Sequence, residues 1–185
     1  MPWNSLSCAD TAKLVRAALK ATFPAVAFTV RSKTYSGGAS ITVGWTDGPS
    51  TAEVEKITHR FEGARMDGYA DCKEYQYHAR HADGTITPYD RDDGLPEGAE
   101  EVHLRADFIF TDREYTADFL QKVGKRTADY WGCPVPAVLE HPGYGAQYGR
   151  TSDRIGGGSF TADELASQMA RKASRVEGGI VYPKN

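Results

Sequence analysis

Apolar residues along this chain fall first at helical spacing and then in alternation. Leu14, Val15, Ala18, Leu19 and Phe23 share one helical face, Ser7 with Asp10 three residues later marks its start, and Pro24 stops it. Val26, Phe28 and Val30 then alternate with Ala27, Thr29 and Arg31. The turn Tyr35-Ser36-Gly37-Gly38 follows, and Ile41, Val43 and Trp45 alternate on the return, which predicts a β-hairpin. Thr46-Asp47-Gly48-Pro49 breaks the sheet. Ser50-Thr51-Ala52-Glu53 is a capping box opening a second helix, whose narrow apolar face is Val54, Ile57, Thr58 and Phe61 and whose end is Gly63.

The next stretch is less regular. Tyr75, Tyr77 and Ala79 alternate with Gln76, His78 and Arg80, and Asp83-Gly84 signals a two-residue hairpin turn before Thr85-Ile86-Thr87. A Pro/Gly-rich acidic surface loop is expected from Asp90 to Glu101. Val102, Leu104, Ala106, Phe108 and Phe110 then alternate as a single strand, with all five side chains on the same face. Thr116 caps a third helix with Phe119, Leu120, Val123 and Tyr130 inward and Gly132 at its end, and Pro134 to Leu139 reads as a short edge strand. A last helix opens with the capping box at Thr161. Its apolar stripe, Leu165, Met169 and Val176, is too thin to seat it unaided, so it calls for the body of the domain, another copy or a partner.

This order of elements predicts an α+β fold: a mostly antiparallel sheet with helices packed chiefly on one face, plus a C-terminal Gly-rich arm and helix. The expected divisions are one domain over residues 1–140, a Gly-rich linker or arm over 141–160, and a C-terminal helix and tail over 161–185.

Composition narrows the function. The 185 residues are 40% hydrophobic and 25% charged, with a net charge of −3, which argues against both a strongly basic nucleic-acid binder and a highly acidic DNA mimic. No apolar run is long enough for a membrane helix, and the first residues lack a signal peptide's basic and apolar regions. Cys8, Cys72 and Cys133 are an odd number and far apart, unlike a secreted disulfide framework. A cytoplasmic protein with no membrane partner is expected.

The candidates for chemistry are sparse. Cys72, His78 and His81 contain a His-x-x-His pair, with Asp71 as a conceivable fourth zinc ligand, but on one strand His78 and His81 point to opposite faces. Surface histidines on a tyrosine-rich sheet are the simpler reading. His59, His103 and His141 are isolated, and no nucleophile elbow, P-loop or dinucleotide fingerprint occurs, so no catalytic residue, metal or cofactor is assigned. Charge is unevenly placed. Residues 90–118 hold ten acids against three arginines, and Asp90, Asp92 and Asp93 resemble a divalent-cation loop without its later glutamate. A solvated loop is the preferred reading, with a patch for a basic partner as the alternative. Residues 1–33 carry Lys13, Arg16, Lys20, Arg31 and Lys33 against Asp10 alone. Lys13, Arg16 and Lys20 lie at i, i+3 and i+7, a helix face suited to phosphates or simply to water.

Several strings in the chain are familiar together: Ala12 to Lys20, Phe23-Pro24, Phe28 to Ser32, Tyr35 to Ile41, Trp45 to Pro49, Val54 to Gly63 and Asp67-Gly68. With Phe108 to Thr116 and the following helix, they resemble the large polyvalent protein-associated domain numbered 29, over about residues 8–140. The resemblance implies a protein of phages, plasmids or conjugative elements, where such domains are often fused to DNA-handling or anti-restriction modules. It supplies no catalytic residues. The expectation is a non-enzymatic binding protein of a mobile genetic element, acting in counter-defence of the anti-CRISPR or anti-restriction type by occluding a host defence protein. The alternative is a nucleic-acid-binding accessory using the basic face of the first helix. The residues proposed for contact are Lys13, Arg16, Lys20, Arg31 and Lys33, the acidic Asp90, Asp92 and Asp93, and Leu165 and Met169, the last two for a homodimer through the C-terminal helix.

Overall fold

A computed structural model describes residues 4–67, 72–131, 162–176 and 179–182. The elements run β1 (Ser5–Leu6), α1 (Cys8–Thr22), β2 (Thr29–Tyr35), β3 (Gly38–Thr46), α2 (Thr51–Thr58), a 3-10 turn (His59–Phe61), β4 (Ala64–Asp67), β5 (Cys72–Tyr75), β6 (Tyr77–Arg80), β7 (Ile86–Tyr89), β8 (Glu100–Leu104), β9 (Phe108–Glu114), α3 (Ala117–Trp131), α4 (Ala162–Lys172), β10 (Ser174–Val176) and β11 (Gly179–Val181). The fold is α+β, as expected. The chain forms two compact units, one of Met1–Gly44 with Val54–Asp112, the other of Trp45–Glu53 with Arg113–Asn185.

The first unit follows local sequence closely at its start. Ser7 caps α1 by accepting the Asp10 N–H at 3.1 Å, while its hydroxyl donates to the Asp10 carboxylate at 2.6 Å. Val15 and Leu19 on this helix are fully buried, as are Ile41, Val43, Val54 and Val102. The first hairpin starts later than the alternation suggests. Pairing begins at Thr29 with Gly44, so Val26 and Phe28 precede the strand. Val26 instead donates its N–H to Phe23 O at 3.1 Å. The sheet order is β2-β3-β9.

A second sheet, ordered β1-β8-β6-β7, joins β1 to β8 in parallel and the other pairs antiparallel. Here the local pattern needs three corrections. The expected strand from Tyr75 is divided at Gln76, with β4 paired to β5 on one side and β6 to β7 on the other. The Asp83-Gly84 turn is wider than two residues: the Gly84 N–H reaches His81 O and the His81 N–H reaches Thr85 O, both at 2.9 Å. Gly84 at φ 84° supplies the left-handed residue that such a loop requires. Most consequential, the run Val102 to Phe110 is two strands in different sheets, β8 and β9, separated by Arg105-Ala106-Asp107.

The second unit is held by polar side chains turned inward. The Arg113 guanidinium uses all five of its N–H donors on carbonyls. Nε reaches Asp47 O at 2.7 Å, Nη1 reaches Ala170 O at 3.2 Å and Arg171 O at 3.3 Å, and Nη2 reaches Gly48 O at 3.2 Å and Ala173 O at 2.8 Å. Three of those carbonyls belong to the end of α4 and the residue after it, where a cation also complements the helix dipole. The plane stands 4.8 Å over Tyr115 and 5.3 Å over Phe119. Asp47, buried at a positive φ of 53°, accepts from the Thr116 N–H and hydroxyl, both at 2.8 Å, and from Arg175 at 2.7 Å. The capping box is present: Glu53 accepts from the Ser50 N–H and hydroxyl at 2.7 Å, and also from the Ser174 hydroxyl. Burial opposes ionisation of Glu53, yet these donors and Arg113 hold its carboxyl below the ordinary value.

Of the supports open to the last helix, α3 of its own unit provides one. Ala166 and Ala170 of the helix, with Ala173 just after its end, are set against Phe119, Leu120 and Val123 of α3, with Met169, Ile180 and Tyr182 packed around them. Small residues let the helices approach, which an apolar stripe of large residues alone does not reveal. Leu165 is half-buried, and Val176 lies not on the helix but exposed on β10, part of a hairpin with β11 that periodicity missed. Tyr130, expected inward, is half exposed, and Thr127 and Ala128 take the interior positions. Gly132, the strand at 134–139 and the arm at 141–160 lie outside the described residues.

Candidate nucleic-acid interface

The site is built by one sheet with two unlike faces. Val30 pairs with Val43, Ser32 with Ile41 and Thr34 with Ala39, placing these side chains on the face that carries the core. The other face holds Thr29 beside Gly44, Arg31 beside Thr42, Lys33 beside Ser40 and Tyr35 beside Gly38. Thr29, Arg31, Lys33, Tyr35 and Thr42 are all exposed, so no layer covers that side among the described residues. α1 packs on β2 with Val15 and Leu19 buried and therefore lies on the Val30 side.

β9 completes the open face. Ile109 is buried with the core, so alternation turns Phe108 and Phe110 outward. Phe110 is 56% exposed, and the two rings stand 6.3 Å apart with planes inclined by 37°. An unbroken strand would have kept Phe108 and Phe110 on the side of Val102 and Leu104, and the structure does not. The cause is Asp107, which interrupts the strand: its N–H donates to Ala39 O at 2.8 Å, and its carboxylate accepts the Ala39 N–H at 3.1 Å and the Lys73 ammonium at 2.9 Å. The chain leaves one sheet and enters the other out of phase by one residue, which flips every later side chain. On the far edge, Glu62 accepts the Ile109 N–H at 2.8 Å and Glu55 accepts the Thr111 hydroxyl at 3.1 Å, so polar groups guard the strand. Burial raises the Glu62 carboxyl above its ordinary value.

The face ends at a cleft of about 790 Å³ lined by Cys8, Tyr35, Lys73, Tyr75, Arg105 and Asp107 among others. Titratable groups do converge here, but they satisfy one another. Lys73 donates to Asp107 and, at 3.1 Å, to Gly37 O, and its ammonium lies 5.5 Å over the Tyr75 ring. Asp107 raises the Lys73 pKa, and burial pushes the Cys8 thiol up while its S–H faces Ser40 O at 3.5 Å. A protonated lysine and a protonated thiol are not activated nucleophiles. The pair instead pins the hairpin turn. A Cβ at Gly38 would run into the Asp107 carboxylate, so only glycine permits that approach.

The residues singled out from sequence are scattered. Arg31 and Lys33 share the open face, with no ion pair among the described residues. Lys13 is bound to Asp10 at 2.8 Å, Arg16 donates to Val30 O at 2.9 Å, and Lys20 is exposed in the last turn of α1. The helix cations therefore stand on the opposite layer from Arg31 and Lys33. Asp90, Asp92 and Asp93 are exposed in the loop between β7 and β8, where the Asp92 N–H donates to Asp90 Oδ1 at 3.0 Å and Arg91 lies 5.0 Å over Tyr77. Met169 is used inside its own unit. His78, expected at the surface, is fully buried with neither ring nitrogen in hydrogen-bond geometry. Burial lowers its pKa, and the backbone of Arg60 and Gln76 offsets part of that cost. His81 is bonded to Thr87 at 2.8 Å and Cys72 is exposed. No group of three metal-ligating residues occurs among the described residues.

In the second unit, Lys122, Lys125, Arg126 and Arg175 line a shallow groove of about 350 Å³ with Tyr182. Lys122 and Arg175 are held by Asp118 at 3.0 and 2.9 Å, and Arg126 stands 5.7 Å from the centre of the Tyr182 ring.

No described helix is long and apolar enough to cross a membrane. Comparison with protein families matches residues 6–116 to the model described as large polyvalent protein associated domain 29, a stretch that ends just before α3. Neither the curated proteins nor the solved structures contain a match.

Proposed function

Since this chain belongs to the large polyvalent protein associated domain 29 family, a family associated with mobile genetic elements, we propose that it is a nucleic-acid-binding accessory protein of such an element. The interface is the uncovered face of the β2-β3-β9 sheet. One observation carries this reading: Arg31 and Lys33 stand exposed beside small polar neighbours, Thr42 and Ser40, with no acid paired to them among the described residues. Cations so placed are available to phosphates, and a net charge of −3 makes the local placement decisive.

The test is nucleic-acid retention across a salt series. Binding is expected to fall steeply with salt, and the double variant Arg31→Glu/Lys33→Glu to weaken it by about tenfold or more. Lys13→Glu/Lys20→Glu on α1 serves as the control and should change it far less. Binding independent of salt, or lost equally with the α1 variant, sinks the assignment to this face.

A second reading is favoured by the acidic loop. Asp90, Asp92 and Asp93 are exposed and locally ordered by the Asp90–Asp92 contact, which suits a basic patch on a host defence protein. Counter-defence of the anti-CRISPR or anti-restriction type would then act by occlusion. Asp→Asn changes at these three positions should abolish protection of the element in an infected or transformed host; undiminished protection removes this reading.

A further inference from the structure

Resting on the nucleic-acid reading of this face, we infer that the strand it takes is single, with its bases stacked on Phe108 and Phe110. Cations alone do not distinguish a single strand from a duplex; the rings do. Phe110 is 56% exposed, and the only described role of Phe108 and Phe110 toward each other is a tilted contact at 6.3 Å. Because their planes are inclined by 37°, each ring presents its own face, and bases lying on both would be splayed apart. A duplex cannot supply such bases, since its base faces are buried in its own stack, whereas unpaired nucleotides can.

The rest of the face fits the same ligand. β9 and β2 flank β3, so the aromatic row and the cationic row are two strand spacings apart, about 10 Å. Bases over β9 would then carry their phosphates toward Arg31 and Lys33. Between the rows stand Ser40, Thr42 and Gly44, none large enough to obstruct that crossing. Gly44 has little room for anything more, because a Cβ there would meet Thr29 Oγ1 at 2.7 Å. Tyr35, 44% exposed at the end of β2, adds a third ring. Exposed Asp112 lies beyond Phe110 on the same strand face, next to the Gly44 row, and marks where the phosphate path must end. Stacking of this kind tolerates any base, so little sequence preference is expected.

Fluorescence anisotropy with labelled oligothymidylate of about 12 nucleotides, the matching oligouridylate and the thymidylate–adenylate duplex tests this directly. The single strands should bind more tightly than the duplex. Phe110→Ala and Phe108→Ala should each weaken single-strand binding by roughly 5- to 100-fold. Phe110→Leu should lose most of it too, because leucine keeps the apolar surface but offers no aromatic face. Thermal melts control for folding, which the exposure of Phe110 makes insensitive to its replacement. Equal or tighter duplex binding, or full affinity in Phe110→Leu, overturns the single-strand inference while leaving nucleic-acid binding standing. Absence of binding to all three probes, or a host protein captured through Phe108 and Phe110 in their place, overturns both.

Discussion

Two sets of cations, one in each unit, are placed in opposite ways. In the first, Arg31 and Lys33 project from a bare sheet face and make no ion pair among the described residues. In the second, Arg113 is turned inward onto five carbonyls and two rings. The same distinction separates two phenylalanines: Phe119 is fully buried, Phe110 is 56% exposed. A charge or ring facing inward is accounted for by stability. One facing outward with no partner contributes little to folding, and its account lies in what it binds.

If that contrast holds, replacing the inward groups should unfold and replacing the outward ones should not. The largest effect is expected from Arg113→Ala. It strands several carbonyls and removes the cation from the end of α4, so a loss of about 3 kcal/mol or more should appear in urea denaturation. Hydrogen exchange should locate the loss in α3, α4 and the β10–β11 hairpin. Arg113→Lys should recover only part of it, since an ammonium has three donors rather than five.

His78 gives an intermediate effect that depends on pH. Its folded pKa lies below the ordinary value of 6.5 because burial disfavours the cation. The unfolded chain therefore binds the proton first as pH falls. The stabilising contribution is complete above about pH 6.5 and is lost below it, with a slope approaching about 1.4 kcal/mol per pH unit until the folded pKa is reached. His78→Leu should flatten this part of the stability profile. An unchanged acid limb would place the titration elsewhere.

The smallest effects belong to the open face. Arg31→Glu, Lys33→Glu and Phe110→Ala should each change stability by no more than about 0.5 kcal/mol in the same denaturation experiment. A larger loss at Phe110 would mean that its ring is covered in the folded protein, and the contrast between the units would fail at that point.

Legibility followed the range of the interaction. The Ser7–Asp10 cap and the Ser50–Glu53 box lie three residues apart, and both are present with short hydrogen bonds. The Ile41/Val43 alternation lies on one strand and was equally plain. The candidate site was only half visible: Arg31 and Lys33 stood out as charges, but the accompanying helix cations do not share their surface. The spacing of Phe108 and Phe110 continues that of Val102, Leu104 and Ala106, so alternation alone runs all five into one strand. The only local warning was Asp107, a carboxylate inside an apolar alternation. Its partners, Ala39 and Lys73, are 68 and 34 positions away. At α4 the same limit applied, because Ala166, Ala170 and the following Ala173 mark a close contact only once α3 lies against them.

Caps, turns and the period of apolar residues act over a few positions, so the amino-acid order alone specifies the first two helices, the first hairpin, the α+β class and the family. Which side of β9 meets water, whether a cation is solvated or enclosed, and what covers the last helix depend on residues distant in the chain. Those outcomes are settled by sheet registry and side-chain packing, where a slip of one residue at Asp107 exchanges interior for surface.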